Sequence, residues 1–335
     1  MQMKPAPWKV LITADTTKVV GEQSLQWLRS AGCEIIFPPK SGPLKDDELL
    51  AALAGMDAVY ASHDAYSAPT LASPAAGQLK IIARWGVGYD SVDLPAATHN
   101  GIVVTYTSGI LDDAVADYTF ALLLSLARRV PEVHSAMQRG EWESSWGDDV
   151  GGQTLGIIGL GRIGKAVARR AAGFNMRILA HTAHPDPENR KVEFTSLEKL
   201  LAESDYVSLH APLTPATRGM IGEAQLRQMK RTAYLINTGR GALLDEAALM
   251  RALNEHWLAG AALDVYATEP LPADSPLRSA PNLLFSPHQS SCARGTGERV
   301  SLAVAQSIMD LMNGTRPKNV LNPEVFTSPA LRARL

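Results

Sequence analysis

The chain has 335 residues, enough for about two domains with a hydrophobic core in each. Hydrophobic residues make up 46% of it and charged residues 20%, which excludes the disordered and fibrous classes. With 32 basic and 34 acidic side chains the net charge is −2, so no long-range field would attract nucleic acid or an anionic membrane. We expect a globular protein that has neither as a partner.

Neither the first residues nor the cysteines carry a pattern typical of secreted proteins. The first residues, MQMKPAPWKVLITAD, contain no apolar run typical of a secretory signal, and nowhere do about 18 apolar residues follow one another. A cytoplasmic location is therefore expected. Cys33 and Cys292 are the two cysteines, too few and too far apart for a disulfide framework or a zinc site. We predict two small core residues and no metal site.

Short β-branched runs alternate with amphipathic helical patterns along almost the whole chain. In chain order the predicted strands are WKVLITA, CEIIF, DAVYAS, LKIIARW, IVVTYT, TLGIIG, MRILAH, YVSLHA, AYLINT, GAALDV and NLLFS. Helical patterns such as DDELLAALAGM and DEAALMRALNEHW stand between them. This alternation predicts an α/β fold with parallel sheets covered by helices on both faces.

One segment interrupts the alternation. From Asp112 to about Arg139 the pattern predicts a long helical stretch with Pro131 inside it, followed by the polar loop EWESSWGDDVGG. We interpret this segment as the connection between two α/β units. Trp142 and Trp146 in the loop are expected to pack at the domain junction, with capping of a cleft as the alternative. A final helical pattern, RGTGERVSLAVAQSIMDLMNGT, could return to the first unit.

A glycine-rich turn joins the strand pattern LGIIG to the helical pattern RIGKAVARRAAGF. Gly159, Gly161 and Gly164 form G-x-G-x-x-G at this point. The first glycine permits a tight turn, the second lets the backbone approach a pyrophosphate, and the third allows close packing of helix on strand. The N–H groups and dipole of the helix start would attract the anion. The turn therefore predicts a bound dinucleotide.

The end of the next strand, MRILAH, bears on the choice of coenzyme. An acidic residue there binds the ribose 2′-hydroxyl of NAD, but Thr182 holds that position. His181, His184 and Arg190 are close enough in sequence to pair with a 2′-phosphate. The predicted cofactor is NAD or NADP, with NADP favoured, unless these side chains are only solvated loop residues.

Three ionisable residues follow three later strands, at the edge where open α/β sheets bind ligands. They are Arg240 after AYLINTG, Glu269 after GAALDVYAT and His288 after NLLFSP. A guanidinium can grip a carboxylate, an imidazole can transfer a proton near neutral pH, and a carboxylate can orient that imidazole and stabilise its protonated form. The set suits interconversion of a 2-hydroxy acid and a 2-keto acid, the hydride moving to or from nicotinamide. Each could instead be an ordinary surface or loop side chain.

Several motifs between about Val10 and Asn322 resemble those of the D-isomer-specific 2-hydroxyacid dehydrogenase family, in the family's order and spacing. They are RWGVGYDSVDLPAAT, LGIIGLGRIG, SDYVSLHAPLTPATRGMI, LINTGRGALLDEAAL, AALDVYATEPLP and LFSPHQSS. The resemblance implies a Rossmann coenzyme domain, 105–291, inserted into a discontinuous flavodoxin-like substrate domain, 1–104 and 292–335. It also implies a homodimer formed through the coenzyme domains and a cleft that closes to exclude water.

The resemblance also implies roles for the candidate residues. Arg240 would bind the substrate carboxylate, His288 would be the acid/base and Glu269 would orient His288. The backbone N–H groups of Val87 and Gly88 look like the family's carboxylate cradle, although GVGYD could be only a turn.

A further set of positions is implied to line the coenzyme. Within it, Asp264 is similar to the residue that fixes the nicotinamide carboxamide. The full set is Gly159, Gly161, Arg162, Ile163, Gly164, Thr182, His210, Pro212, Thr238, Asp264 and His288.

Departures from the family pattern narrow the substrate. Phosphoglycerate dehydrogenases carry an arginine where this chain has Ala61 and Ser62, and formate dehydrogenases carry glutamine at the position of Glu269. A small keto acid with an uncharged tail is therefore predicted, such as glyoxylate, hydroxypyruvate or a phenylpyruvate-like acid. The residues at 289–292 differ from the usual Ile-Gly-Ser-Ala, so the pocket floor is expected to be unusual.

Two other functions remain open on the sequence. The same fold serves as a dinucleotide-sensing scaffold in transcriptional corepressors, and the same residue types serve phosphite or other oxyanion dehydrogenases. Arg240, Glu269 and His288 are all present, which favours an enzyme, although some corepressors keep them. The predicted function is NAD(P)-dependent oxidoreduction between a small 2-keto acid and its D-2-hydroxy acid, with His288 as acid/base.

Overall fold

The computed structural model describes residues 7–40, 42–186 and 188–334. Its contacts divide the chain into a first unit, Met1–Leu111 with Ala293–Leu335, and a second unit, Asp112–Cys292. The sequence predicts boundaries at 104/105 and 291/292, and its assignment of substrate and coenzyme roles to the two parts stays a prediction. The prediction that the chain has no signal segment rests partly on residues 1–6, which lie outside the described residues.

The elements follow one another as strands and helices along both units. The strands are β1 (Lys9–Ile12), β2 (Glu34–Ile36), β3 (Ala58–Ala61), β4 (Ile81–Arg84), β5 (Val103–Thr105), β6 (Thr154–Ile158), β7 (Arg177–His181), β8 (Glu193–Phe194), β9 (Tyr206–Leu209), β10 (Tyr234–Asn237), β11 (Gly260–Leu263) and β12 (Leu283–Phe285). The α-helices are α1 (Thr17–Val20), α2 (Glu22–Ser30), α3 (Asp46–Leu53), α4 (Ala68–Ala72), α5 (Leu94–His99), α6 (Asp112–Ala127), α7 (Val130–Gln138), α8 (Arg162–Gly173), α9 (Leu197–Glu203), α10 (Glu223–Leu226), α11 (Glu246–Asn254) and α12 (Arg294–Met312). Short 3₁₀ helices cover Pro74–Ala76, Gly241–Leu243, Pro276–Ser279 and Pro323–Thr327.

The first unit is built on a five-stranded parallel sheet of order β2-β1-β3-β4-β5. This is the flavodoxin-like order, in which the chain reverses direction across the sheet at β1 and β3. Strands β3 and β4 are buried along their whole length, as parallel strands covered on both faces must be. Helix α12 packs on α2 and β4 of this unit, so the last helical pattern does return to the first sheet.

The second unit carries a seven-stranded parallel sheet of order β12-β11-β10-β9-β6-β7-β8. Six of these strands follow the Rossmann order, with the reversal at β6 and β9. Successive side chains of a strand point to opposite faces, so Ile157 joins the core on one face and Ile158 the core on the other. The predicted α/β class with two parallel sheets is confirmed, and all eleven predicted strands are present; the two-residue β8 was not predicted.

The expected long helix after Asp112 is two helices. Arg129 adopts a left-handed backbone conformation, with φ of 51°, and separates α6 from α7. Pro131 lies in the first turn of α7, where a missing N–H costs no helical hydrogen bond. The prediction of one continuous stretch with an internal proline is therefore wrong, because the proline begins a second helix.

One prediction of burial is wrong, and another is not tested. Trp142 and Trp146 are 87% and 89% exposed, and their packing at a domain junction stays a prediction. Cys33 is buried, but Cys292 is exposed and is no core residue. Among the helices of the described ranges, none combines the length and the apolar character needed to cross a membrane.

Candidate active site

The glycine turn after β6 is fixed by its own backbone. Gly159 has φ of 93°, a conformation that side chains with a Cβ rarely adopt, and its N–H donates to the carbonyl of His181 at 2.8 Å. A Cβ on Gly159 would lie 2.5 Å from the nitrogen of Ala211, and a Cβ on Gly164 would lie 2.2 Å from the carbonyl oxygen of Gly159. Both glycines are therefore required by the turn and by the approach of α8 to β6.

Gly161 differs from its two neighbours in the motif. It precedes α8 with φ of −74°, and no heavy atom would lie within 4 Å of an added Cβ. No constraint in the described chain requires glycine here, and the open space beside a helix start fits close approach of a pyrophosphate. Of the next two predicted positions, Arg162 pairs with Asp112 (Nε–Oδ2 2.8 Å) and Ile163 packs partly buried against the core.

The end of β7 places the residues considered for the coenzyme ribose. Thr182 follows directly after β7, and its hydroxyl accepts a 3.4 Å hydrogen bond from the N–H of His184. The His181 ring lies 3.3 Å from the carbonyl oxygen of Thr195 through Nδ1. His184 and Arg190 are exposed, and they share their loop with Asp186, which is also exposed.

The residues predicted after β9 and β10 lie at the same sheet edge. Nε2 of His210 is 2.8 Å from the hydroxyl of Ser208, and burial lowers the pKa of His210 to about 4. This imidazole is therefore neutral at physiological pH. Thr238 is buried and its hydroxyl lies 3.0 Å from that of Thr119 on α6, whereas Pro212 is exposed.

A carboxylate–imidazole pair follows β11 and β12. Nδ1 of His288 lies 2.7 Å from Oε2 of Glu269, and the other carboxylate oxygen accepts the N–H of Tyr266 at 3.0 Å. Burial raises the pKa of Glu269, but the hydrogen bond and charge of His288, the Tyr266 N–H and the positive charge of Arg240 together hold that pKa below its ordinary value. The structure thus brings all three ionisable residues of the sequence prediction within electrostatic reach of one another.

The loop that carries His288 depends on Asp264, in a way that the sequence analysis missed. His288 has φ of 54°, unusual for a residue with a Cβ, and its N–H donates to the Asp264 carbonyl at 2.8 Å. The buried Asp264 carboxylate accepts from the hydroxyl of Ser286 at 2.6 Å and from the N–H groups of Gln289 and Ser290 at 2.7 and 2.9 Å. An acidic residue one position beyond β11 was the only sequence signal for this role.

The hydroxyl of Ser286 also lies 2.7 Å from that of Tyr118 on α6, which ties the loop to the core of the second unit. The backbone of Gln289 and Ser290, rather than their unusual side chains, makes the contacts with Asp264. Contact of Asp264 with the nicotinamide stays a prediction. Val87 and Gly88 lie in the first unit, after β4, and their part in substrate binding also stays a prediction.

Comparison with known proteins identifies relatives of the chain. Residues 120–290 match the model of the D-isomer specific 2-hydroxyacid dehydrogenase, NAD binding domain. A glyoxylate reductase of Korarchaeum cryptofilum is 49% identical over 260 residues, 75% of this chain and 78% of its own. One from Thermofilum pendens is 39% identical over 325 residues, 92% and 94% of the two chains. The crystal structure of a glyoxylate reductase from Paecilomyes thermophila superposes with a TM-score of 0.82 at 30% identity, covering 96% of this chain and 99% of that one.

The Rossmann sheet, its glycine turn and the matched NAD-binding model define a nicotinamide dinucleotide-dependent oxidoreductase. The chain belongs to the D-isomer specific 2-hydroxyacid dehydrogenase family. The predicted family and enzyme class are confirmed, and the corepressor and oxyanion-dehydrogenase alternatives are not favoured.

The three glycines of the turn respond differently to alanine. We expect Gly161→Ala to fold normally and to raise the Kd of the dinucleotide about tenfold or more, because its Cβ enters open space that a pyrophosphate would use. Gly159→Ala is the matched control and should lose at least about 2 kcal/mol of folding free energy through backbone strain and overlap. Thermal unfolding measures the stability of each variant, and fluorescence titration with NADH and NADPH measures its dinucleotide affinity. Unchanged affinity in Gly161→Ala would contradict the assignment of Gly161 to a pyrophosphate site.

Proposed function

We propose that the enzyme reduces a small 2-keto acid to its D-2-hydroxy acid, and that glyoxylate is the first candidate substrate. The relatives named above are glyoxylate reductases, and they cover most of this chain. Ala61 and Ser62 stand where phosphoglycerate dehydrogenases carry an arginine, which supports a substrate without a phosphate group. In this proposal the second unit is the coenzyme domain and the first unit the substrate domain. The cytoplasmic location stays a prediction.

The observation that carries the proposed mechanism is the 2.7 Å contact between Glu269 and Nδ1 of His288. Because Nδ1 faces the carboxylate, we assign proton transfer to Nε2 of His288. In the reductive direction Nε2 gives a proton to the carbonyl oxygen, and Glu269 stabilises the imidazolium that is the proton donor. The bound nicotinamide dinucleotide supplies the hydride.

Arg240 is the proposed carboxylate-binding residue. It follows β10, and its charge reaches Glu269, so a substrate carboxylate held by Arg240 lies beside the acid/base pair. A guanidinium can bind both carboxylate oxygens and fix the orientation of the adjacent carbonyl. The N–H groups of Val87 and Gly88 are also proposed as donors to the substrate carboxylate.

Replacing either member of the acid/base pair tests these roles. We expect His288→Gln to lower kcat for glyoxylate reduction by about 10²–10⁴-fold with dinucleotide affinity retained, because the proton donor is lost. Glu269→Gln should lower kcat less, since a neutral amide can still orient the imidazole but stabilises the imidazolium less. Wild-type reduction of glyoxylate and hydroxypyruvate, followed at the nicotinamide absorbance band, is the reference. Full activity in His288→Gln would rule out the assigned role.

We propose NADP as the preferred coenzyme. Thr182 is neutral and stands directly after β7, so no carboxylate at that position repels a 2′-phosphate. The exposed His184 and Arg190 on the same loop can supply positive charge and hydrogen-bond donors. The carboxylate of the nearby Asp186 would repel a 2′-phosphate, so the measured coenzyme preference decides between NADP and NAD.

The ratio of kcat/KM for NADPH and NADH measures that preference. We expect the wild type to favour NADPH, and Thr182→Asp to shift the ratio towards NADH by about tenfold or more, because a carboxylate binds the 2′-hydroxyl and repels the 2′-phosphate. Arg190→Ala should weaken NADPH use and leave NADH use unchanged. A wild-type preference for NADH of tenfold or more would refute the proposal.

We further propose a homodimer formed through the second unit. Helix α7 has no buried residue, and large apolar side chains are exposed both on it and in the loop that follows. Several exposed large apolar side chains within one segment are typical of surfaces that another chain covers. The side chains concerned, with their exposed fractions, are Val130 (50%), Met137 (52%), Trp142 (87%) and Trp146 (89%).

Analytical ultracentrifugation tests the dimer. We expect a dimer at micromolar concentration and a shift to monomer when Trp142 and Trp146 are both replaced by Ser, because aromatic anchors supply much of the binding energy of an interface. Trp27→Ser is the matched control, since Trp27 is 38% exposed on α2 of the first unit. A monomeric wild type would contradict the proposal.

A further inference from the structure

The turn that follows β4 presents three consecutive N–H groups. Over the described ranges of the chain, the backbone nitrogens of Val87, Gly88 and Tyr89 donate to no carbonyl or side chain. Val87 and Gly88 are partly exposed and Tyr89 is exposed. Consecutive N–H groups without internal acceptors form a concave site for an anion when the backbone holds them in one direction.

One end of the turn is held by Thr107. The N–H of Gly86 donates to the Thr107 hydroxyl at 3.0 Å, and the Gly86 carbonyl accepts the Thr107 N–H, also at 3.0 Å. Thr107 is 3% exposed, so both contacts lie on the inner side of the turn. In a planar trans peptide the C=O and the following N–H point in opposite directions. The N–H of Val87 is therefore turned outward.

The other end is held by Arg84. Nε and Nη2 of this guanidinium donate to the carbonyl oxygen of Gly88 at 3.1 and 2.8 Å, so that this carbonyl points inward. By the same peptide geometry the N–H of Tyr89 points outward. Two donors from one rigid planar group fix the direction of the carbonyl more closely than a single donor would.

Among the described residues Arg84 is the largest fully buried side chain, 1% exposed at the end of β4. A buried guanidinium is costly unless charges and acceptors surround it. Its positive charge and the negative charge of the buried Asp64 both act on the hydroxyl of Tyr66, which donates to Asp64 at 3.3 Å. The first unit thus places a cation and an anion in its interior behind the turn.

We propose that Arg84 and Thr107 are positioning residues for substrate binding: they hold the turn at Gly86 and Gly88 so that the N–H groups between them face the substrate carboxylate. This inference rests on the proposed function, in which those N–H groups bind the carboxylate. It adds a reason why an arginine lies buried at the end of β4, and it gives Arg84 and Thr107 a role that acts through the turn.

Kinetics at saturating coenzyme test the inference. Arg84→Met keeps an unbranched side chain that reaches about as far as Nε but has no donor, and we expect it to raise the KM for glyoxylate about tenfold or more with the dinucleotide Kd unchanged. Arg84→Lys, which keeps the positive charge and a single donor nitrogen, should have a KM between those of Arg84→Met and the wild type. Thr107→Val should raise KM in the same way, whereas Thr107→Ser retains the hydroxyl and should stay close to the wild type.

Hydrogen exchange of the peptide that contains 85–89 supplies a readout independent of activity. Arg84→Met and Thr107→Val should exchange faster at the two hydrogen-bonded N–H groups of this peptide, those of Trp85 and Gly86, about tenfold or more. Leu49→Ala, in the core of the same unit, controls for lost stability alone and should change neither the KM nor the exchange of this peptide.

Unchanged KM and unchanged exchange in Thr107→Val overturn the inference, and so does an equal rise of KM in Leu49→Ala. If Arg84→Met does not fold, the comparison of Thr107→Val with Thr107→Ser decides whether the inference holds. If the wild type reduces no keto acid, the proposed function fails instead, and exchange alone then decides whether the two residues hold the turn.

Discussion

The hydrogen bond between Glu269 and His288 is the interaction on which the proposed chemistry depends. It fixes the imidazole through Nδ1 at 2.7 Å and places a negative charge beside the ring that must carry a proton. The pair is itself held on both sides, by the Tyr266 N–H on the carboxylate and by Asp264 beneath the backbone of His288. A left-handed conformation at His288 costs free energy, and the three hydrogen bonds to the Asp264 carboxylate help to maintain it.

Parallel sheets impose the location of this site. All seven strands of the second unit run in the same direction, so the residues that follow them gather at one edge. Arg240, Glu269 and His288 follow β10, β11 and β12, and the glycine turn follows β6 at the same edge. The interior of the sheet is apolar on both faces, which leaves this edge for polar groups that can meet a ligand.

The first unit also has charged groups inside its core. Arg84 and Asp64 are almost completely buried, and a purely apolar core would be cheaper to form. What Arg84 provides instead is a fixed direction for the Gly88 carbonyl, which an apolar side chain cannot give. The two units thus use buried polar residues for the same purpose, since Asp264 holds one loop and Arg84 holds another.

The sequence by itself determined the α/β class, the eleven longer strands, the glycine turn and the order of the three ionisable residues, because each is encoded in local periodicity or in a short motif. It did not predict the break at Arg129, the exposure of Trp142 or the three hydrogen bonds to the Asp264 carboxylate. Tertiary structure alone decided these features. A side chain's exposure and its hydrogen-bond partners depend on segments that lie far apart in sequence, as Asp264 and Ser290 do, and no local pattern records which of them meet.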